Sequence, residues 1–168
     1  MSDEENEESK NGNNTVIIEL LVQMIAPIKT ILDMDPLEPI STTFNQNRIV
    51  PLGKIKLRAV ELLQAIVSLK KTQIITAVSE SGVMASALKL IEKHPWNNMI
   101  QLKVQQIFED ALQSDLDPVE KRDFLKKAEV TTILTRMADT PEVRFASGNS
   151  IRNGQMGFVV KLSNFIIK

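Results

Sequence analysis

The chain has 168 residues and a formal net charge of -1, with 43% apolar residues, no cysteine and no tyrosine. It is long enough to bury a real core, and it can form neither disulfides nor thiolate or cysteine-metal sites. The charge is uneven: residues 1–14 carry a net -4 and the remainder +3, too dilute for the basic face that nucleic acid requires.

The acidic start, MSDEENEESK, fits neither a secretory signal nor a transit peptide. Residues 1–14 lack apolar anchors and read as a disordered acidic tail, ahead of one α-helical domain over 15–168. Ser2 precedes three acids, which suits either an acidophilic kinase or a plain solubilising tail. No apolar run approaches the roughly 20 residues that span a bilayer. Val16 to Ile28 comes closest, but Glu19 and Gln23 interrupt it. The reading is a soluble cytoplasmic protein with no membrane or nucleic-acid partner.

Thr15 to Asp33 is predicted helical, with Ile17, Leu20, Leu21, Met24, Ile28, Ile31 and Leu32 in one stripe. Pro27 removes one backbone donor and predicts a kink or break. Met34 to Pro51 is a long polar connector. Leu52 to Leu69 is the strongest helix. Its arc of Ile55, Ala59, Val60, Leu62, Leu63, Ile66 and Val67 is wide enough to predict burial on two sides. Thr72 to Val78 is a short helix or turn, and Ser81-Gly82 breaks the chain before a helix carrying Met84, Ala87, Leu88 and Ile91.

A tight corner follows, His94-Pro95-Trp96-Asn97-Asn98, holding the only histidine and the only tryptophan. Pro95 ends the preceding helix. Asn98 is predicted to cap the next one, with Gln101 completing a box. That helix carries Ile100, Val104, Ile107, Phe108, Ala111 and Leu112. Asp117-Pro118-Val119-Glu120 is a strong helix start, with a capping box and proline at the first helical position. Phe124 and Leu125, and then Val130, Ile133, Leu134 and Met137, mark two short helices. Asp139 to Arg152 reads as a polar loop. Met156 to Lys168 closes the chain as a helix, where an array would ordinarily continue. Its bare face of Val159, Leu162 and Ile166 offers a route to self-association.

The helix at Leu57 recurs at Leu102, and the helix at Val83 recurs at Val130, at spacings of 45 and 47 residues. That period belongs to three-helix armadillo and HEAT units, each too small to bury its own face. The predicted fold is all-α, a short and incomplete armadillo/HEAT-like solenoid; the competing arrangement is a compact bundle.

Catalytic chemistry is missing from the pattern. A lone histidine in a turn lacks the usual nucleophile-plus-base partner, and no P-loop or dinucleotide fingerprint is present. No cofactor or metal is predicted. The sequence points to a binding or scaffold protein and not to an enzyme.

Three stretches resemble the SAPS-domain family. They are Pro51-Leu52-Gly53 with Leu57; His94-Pro95-Trp96-Asn97-Asn98 with Leu102, Val104 and Ile107; and Ser147 to Gly157 with Lys161 and Asn164. The third is similar to the family pattern Arg-x-Gly-Tyr-Met-Gly-His-Leu-Thr-x-Ile-Ala-Asn, with Gln155 in place of Tyr and Phe158 and Val159 in place of His and Leu. Phe124 to Val130 with Leu134 falls where the family has its next helix pair. The resemblance spans about residues 50–168 and implies a non-catalytic α-helical regulatory subunit. Such a subunit docks a type-6 (Sit-type) Ser/Thr phosphatase catalytic subunit and selects its substrates or location. Partner contact falls to Trp96, Asn97, Asn98, Arg152, Met156 and Lys161. Trp96 either pins the corner into the core or stands out as an anchor. The alternative function is a generic armadillo-like adaptor for an unrelated protein or peptide.

Overall fold

The structure, a computed structural model, describes residues 14–41, 48–144 and 150–167. The acidic tail expected over 1–14 therefore lies outside the described residues except for Asn14. Helix α1 runs Asn14–Asp33. Its helical hydrogen bonding is interrupted at Met24, and its second segment is Ile25–Asp33. Pro27 explains the interruption, because it has no N–H for the carbonyl of Gln23. The helix is long and apolar enough, by length and composition, to cross a membrane. This corrects the expectation that no apolar run reaches that length: the helix gathers Ile31 and Leu32 beyond Ile28 and tolerates Glu19 and Gln23. Part of it belongs to the core, since Ile25, Ile28 and Leu32 are buried.

Seven more helices follow: α2 (Lys54–Val67), α3 (Thr72–Ser81), α4 (Val83–Lys93), α5 (Asn98–Leu112), α6 (Pro118–Lys127), α7 (Val130–Ala138) and α8 (Met156–Ile167). The punctuation is local chemistry. Gly82 takes the left-handed conformation, φ 71°, that ends α3 and lets α4 start at an angle. Asp117 accepts from the backbone of Val119 and Glu120 while Glu120 reaches back, so the predicted capping box at α6 is complete.

The helices stack in threes. Helix α2 packs on α5, and α5 on α8; α3 packs on α6; α1 packs on α4, and α4 on α7. Units α2–α4 and α5–α7 are thus repeats, with α8 opening a third and α1 standing as the last helix of a preceding one. From Lys54 to Asn98 is 44 residues, from Thr72 to Pro118 is 46, and from Val83 to Val130 is 47. The repeat is therefore structural, and the fold is an all-α stack, not a compact bundle.

The core runs continuously through the stack. Val60, Leu63 and Val67 on α2, Ile100, Val104, Ile107 and Phe108 on α5, and Leu162 on α8 have no exposure. Each such aliphatic side chain contributes about 1.5–3 kcal/mol. Phe108 and Phe124 join α5 to α6 edge-to-face, with ring centroids 5.7 Å apart. Ion pairs bridge the two units at their rims: Lys70 with Asp110 at 3.3 Å, Lys89 with Glu129 at 3.4 Å, and Arg136 with Glu92. All are solvent-screened and contribute little individually.

Three expectations change. The connector after α1 and the loop after α7 each contain a short antiparallel pair: β1 (Ile40–Ser41) with β2 (Arg48–Ile49), and β3 (Glu142–Arg144) with β4 (Ser150–Arg152). Strands of two or three residues carry no readable alternation. Ile55 and Leu62, expected in the two-sided buried arc of α2, are exposed, because the α1 side covers only part of that arc. Val159 and Leu162 on α8 are buried and Ile166 partly so, hence the face proposed for self-association is mostly occupied within the chain.

Candidate functional site

The first helices α2, α5 and α8 lie side by side, so their N-terminal ends form one edge of the stack. Three linkers deliver the chain to that edge: residues 50–53, 94–97 and 153–155. They touch each other. His94 Nδ1 lies 3.1 Å from the carbonyl of Val50, tying the second linker to the first. Gly154 ties the third to the second. A β-carbon there would stand 2.5 Å from the Pro95 carbonyl oxygen and 2.7 Å from Cε3 of Trp96, distances no side chain can occupy.

The corner is set by its own residues. The Asn97 backbone N–H bonds to His94 O at 3.0 Å, closing the turn. The Asn97 side chain then caps α5 by accepting from Ile100 N at 3.2 Å. This corrects the cap by one position: Asn97 occupies it, and Asn98 is the first helical residue. Gln101 completes no box. It is buried and turns back to donate to the Pro95 carbonyl at 2.7 Å.

His94 is buried and neutral. Burial pushes its pKa below the ordinary value, and the nearby charges of Lys56 and Lys93 add to this, while the bond to the Val50 carbonyl opposes it. The neutral ring donates from Nδ1 to that carbonyl, a structural role. Among the described residues no group of three His, Cys, Asp or Glu side chains could hold a metal ion.

The linker into α8 achieves the same turn differently. Asn153 is buried; its side-chain amide donates to Thr140 O at 3.1 Å and its backbone N–H to Pro141 O at 2.7 Å. Both bonds clamp the base of the β3–β4 pair. Gln155, which stands where the family pattern has Tyr, is 2% exposed. Its Nε2 makes only long contacts to Met137 O (3.4 Å) and Thr140 Oγ1 (3.5 Å), and its Oε1 has no protein partner. A buried amide oxygen left unpaired costs about 1–3 kcal/mol.

Of the residues singled out in the sequence, Trp96 is 50% exposed, which removes the reading that it pins the corner into the core. Its ring carbon Cε3 leans on Gly154, and half of the residue is covered. Asn97 is half-buried as the cap and Asn98 exposed. Arg152 is exposed in β4, opposite Glu142 in register. Met156 is half-buried at the start of α8, and Lys161 exposed one turn further on. The structure brings the Trp96 corner and the Gly154 linker into contact. Sequence reasoning missed His94 as the tie to Val50, and Asn153 and Gln101 as clamps. Their signal was only that polar residues flank each helix start.

Two clefts open on the free side of α2. One of about 810 Å³ is lined by Thr30, Met34, Leu37, Leu52, Gly53 and Ile55. The other, about 380 Å³, lies between α1 and α2 against Met24, Pro27, Ile31, Ile55 and Leu62. Both are mainly apolar, and neither has a histidine on its walls.

A family model described as SAPS, SIT4 phosphatase-associated protein, matches residues 72–168. The matched span starts at α3, and it holds the whole second unit, the Trp96 corner and the Gly154 linker. No curated protein and no solved structure matches the chain.

Proposed function

The chain belongs to the SAPS family of SIT4 phosphatase-associated proteins, and from that premise we propose that it is a regulatory and scaffolding subunit for a type-6 Ser/Thr phosphatase catalytic subunit. It supplies a docking edge and no catalytic group, and it helps choose the phosphatase's substrates or its location, in the cytoplasm. The observation that carries this reading is the convergence of the three motif stretches on one edge of the stack. Residues that are separate in sequence, His94 to Asn98 and Asn153 to Met156, meet through Gly154. A rigid edge with an exposed tryptophan suits partner binding, because Trp is enriched among the residues that dominate interface energetics.

The test is co-purification of the chain with a type-6 catalytic subunit, using a longer family member as the positive control. Retention at micromolar protein supports the assignment. Loss of the chain from beads that keep the control defeats it, and leaves a generic helical-repeat adaptor as the better description.

A further inference from the structure

The outward faces of the three first helices are equivalent by repeat, and they carry an unusual combination. Stepping from α2 to α5 by 44 residues and from α5 to α8 by 58 aligns Ile55 with Met99 and Gly157, and Arg58 with Leu102 and Val160. Met99 is 59% exposed, Leu102 52% and Val160 45%. With Ile55 (68% exposed) and Trp96 at the rim, all three first helices present exposed apolar side chains at this edge, a ridge across the stack. Monomeric proteins seldom leave such ridges without a use.

Charge on the same surface is mainly positive. Residues 50–60, 93–108 and 150–167 contain no Asp or Glu. They contain Lys54, Lys56 and Arg58 on α2, Lys93 at the end of α4, Lys103 on α5, Arg152 in β4 and Lys161 on α8. Lys56 and Lys103 are half-buried and the others exposed. Acids stand beside some of them: Glu61 pairs with Arg58 at 2.6 Å, Glu142 lies across from Arg152, and Asp33 and Asp35 share the α2 cleft with Lys54 and Lys56. The positive ends of the α2, α5 and α8 dipoles point to the same edge. The modest +3 of the chain beyond its tail is thus concentrated here.

We propose that this ridge is the docking surface, and that its occupant is an acidic face of the phosphatase catalytic subunit flanking an apolar pocket. The proposal rests on the phosphatase reading above and adds which face is used and what chemistry it recognises. Charge complementarity selects an acidic occupant. The interleaved Met, Leu, Val and Trp select a protein over a nucleic acid, since single-stranded nucleic acid wants several stacking aromatics and this ridge has one.

The experiment measures affinity of the whole chain for the catalytic subunit at two salt concentrations. It compares the parent with the triple variant Lys103→Glu, Arg152→Glu, Lys161→Glu, and with Lys121→Glu, Arg122→Glu, Lys126→Glu on α6 as an off-ridge control. The ridge variant is expected to bind at least about tenfold more weakly and to lose most of its salt dependence, with the control unchanged. An unchanged thermal midpoint shows that the ridge variant is folded. The apolar half is read separately with Leu102→Ser, exposed and expected to fold, which weakens binding without altering its salt dependence. If the parent binds and the ridge variants bind equally well, the surface is overturned while the phosphatase assignment stands. If the parent does not bind, the assignment itself falls. Tighter binding to a single-stranded oligonucleotide than to the phosphatase overturns the choice of occupant.

Discussion

The two corners that carry the chain into α5 and α8 perform the same turn with different means. The first uses four residues, 94–97, and takes its rigidity from Pro95, the Asn97 cap and the Gln101 side chain returning to Pro95. The second uses the longer stretch 139–155, with a β-pair whose base is clamped by Asn153. Their common element is one buried amide side chain reaching back to a linker carbonyl. A solenoid tolerates a change of linker length from one repeat to the next when that bond is kept. The helix ladder then stays in register although the spacing of first helices grows from 44 to 58 residues.

The comparison breaks most completely at the point where the corners meet. Gly154→Val must push Pro95 and Trp96 apart and is expected to cost about 3 kcal/mol, the top of the range for forced overpacking. Chemical denaturation measures it, and a loss below about 1 kcal/mol would mean that the corners are independent. Next come the two clamps. Asn153→Ala removes a buried bond to Thr140 O and should cost about 1–3 kcal/mol. Asn97→Ala removes a half-buried cap and should cost about 1 kcal/mol. Equal losses would erase the distinction between a clamped and a capped corner.

A smaller effect is set by pH. The folded pKa of His94 lies below the ordinary 6.5, chiefly through burial. Between those two values the unfolded chain holds a proton that the folded chain lacks. Stability is therefore complete above about pH 6.5, declines as pH falls through that value, and stops declining below the folded pKa. His94→Gln should flatten this part of the curve relative to the parent, and an identical pH profile would refute the buried neutral ring. Smallest is Trp96→Ala, expected to change stability by under about 1 kcal/mol because half of the residue is already in water. A loss of several kcal/mol would restore the pinning role.

Much of the stack was legible because it depends on periodicity. The 45- and 47-residue spacings, the Asp117 box and the Gly82 break all follow from local pattern. The Trp96 corner was recognisable as a corner, but its orientation was not, since exposure depends on Gly154, some sixty positions on. The cap went to Asn98 instead of Asn97 because adjacent asparagines offer the same chemistry, and only the geometry at Ile100 separates them. Ile55 and Leu62 have the right period for burial. Whether a helix face is covered depends on the neighbour that arrives, which periodicity does not encode.

Helix α1 rests on α2, α3 and α4 through its second segment, where Ile25, Ile28 and Leu32 are buried. Its first segment leaves Val16, Ile17 and Leu20 more than half exposed. Only Ile18, Leu21 and Val22 of that segment lean on the core, and Pro27 removes one of the hydrogen bonds that join it to the second segment. The segment's amide hydrogens will exchange with solvent by fraying, on a clock separate from that of Leu63 or Ile107, which must wait for the domain to open.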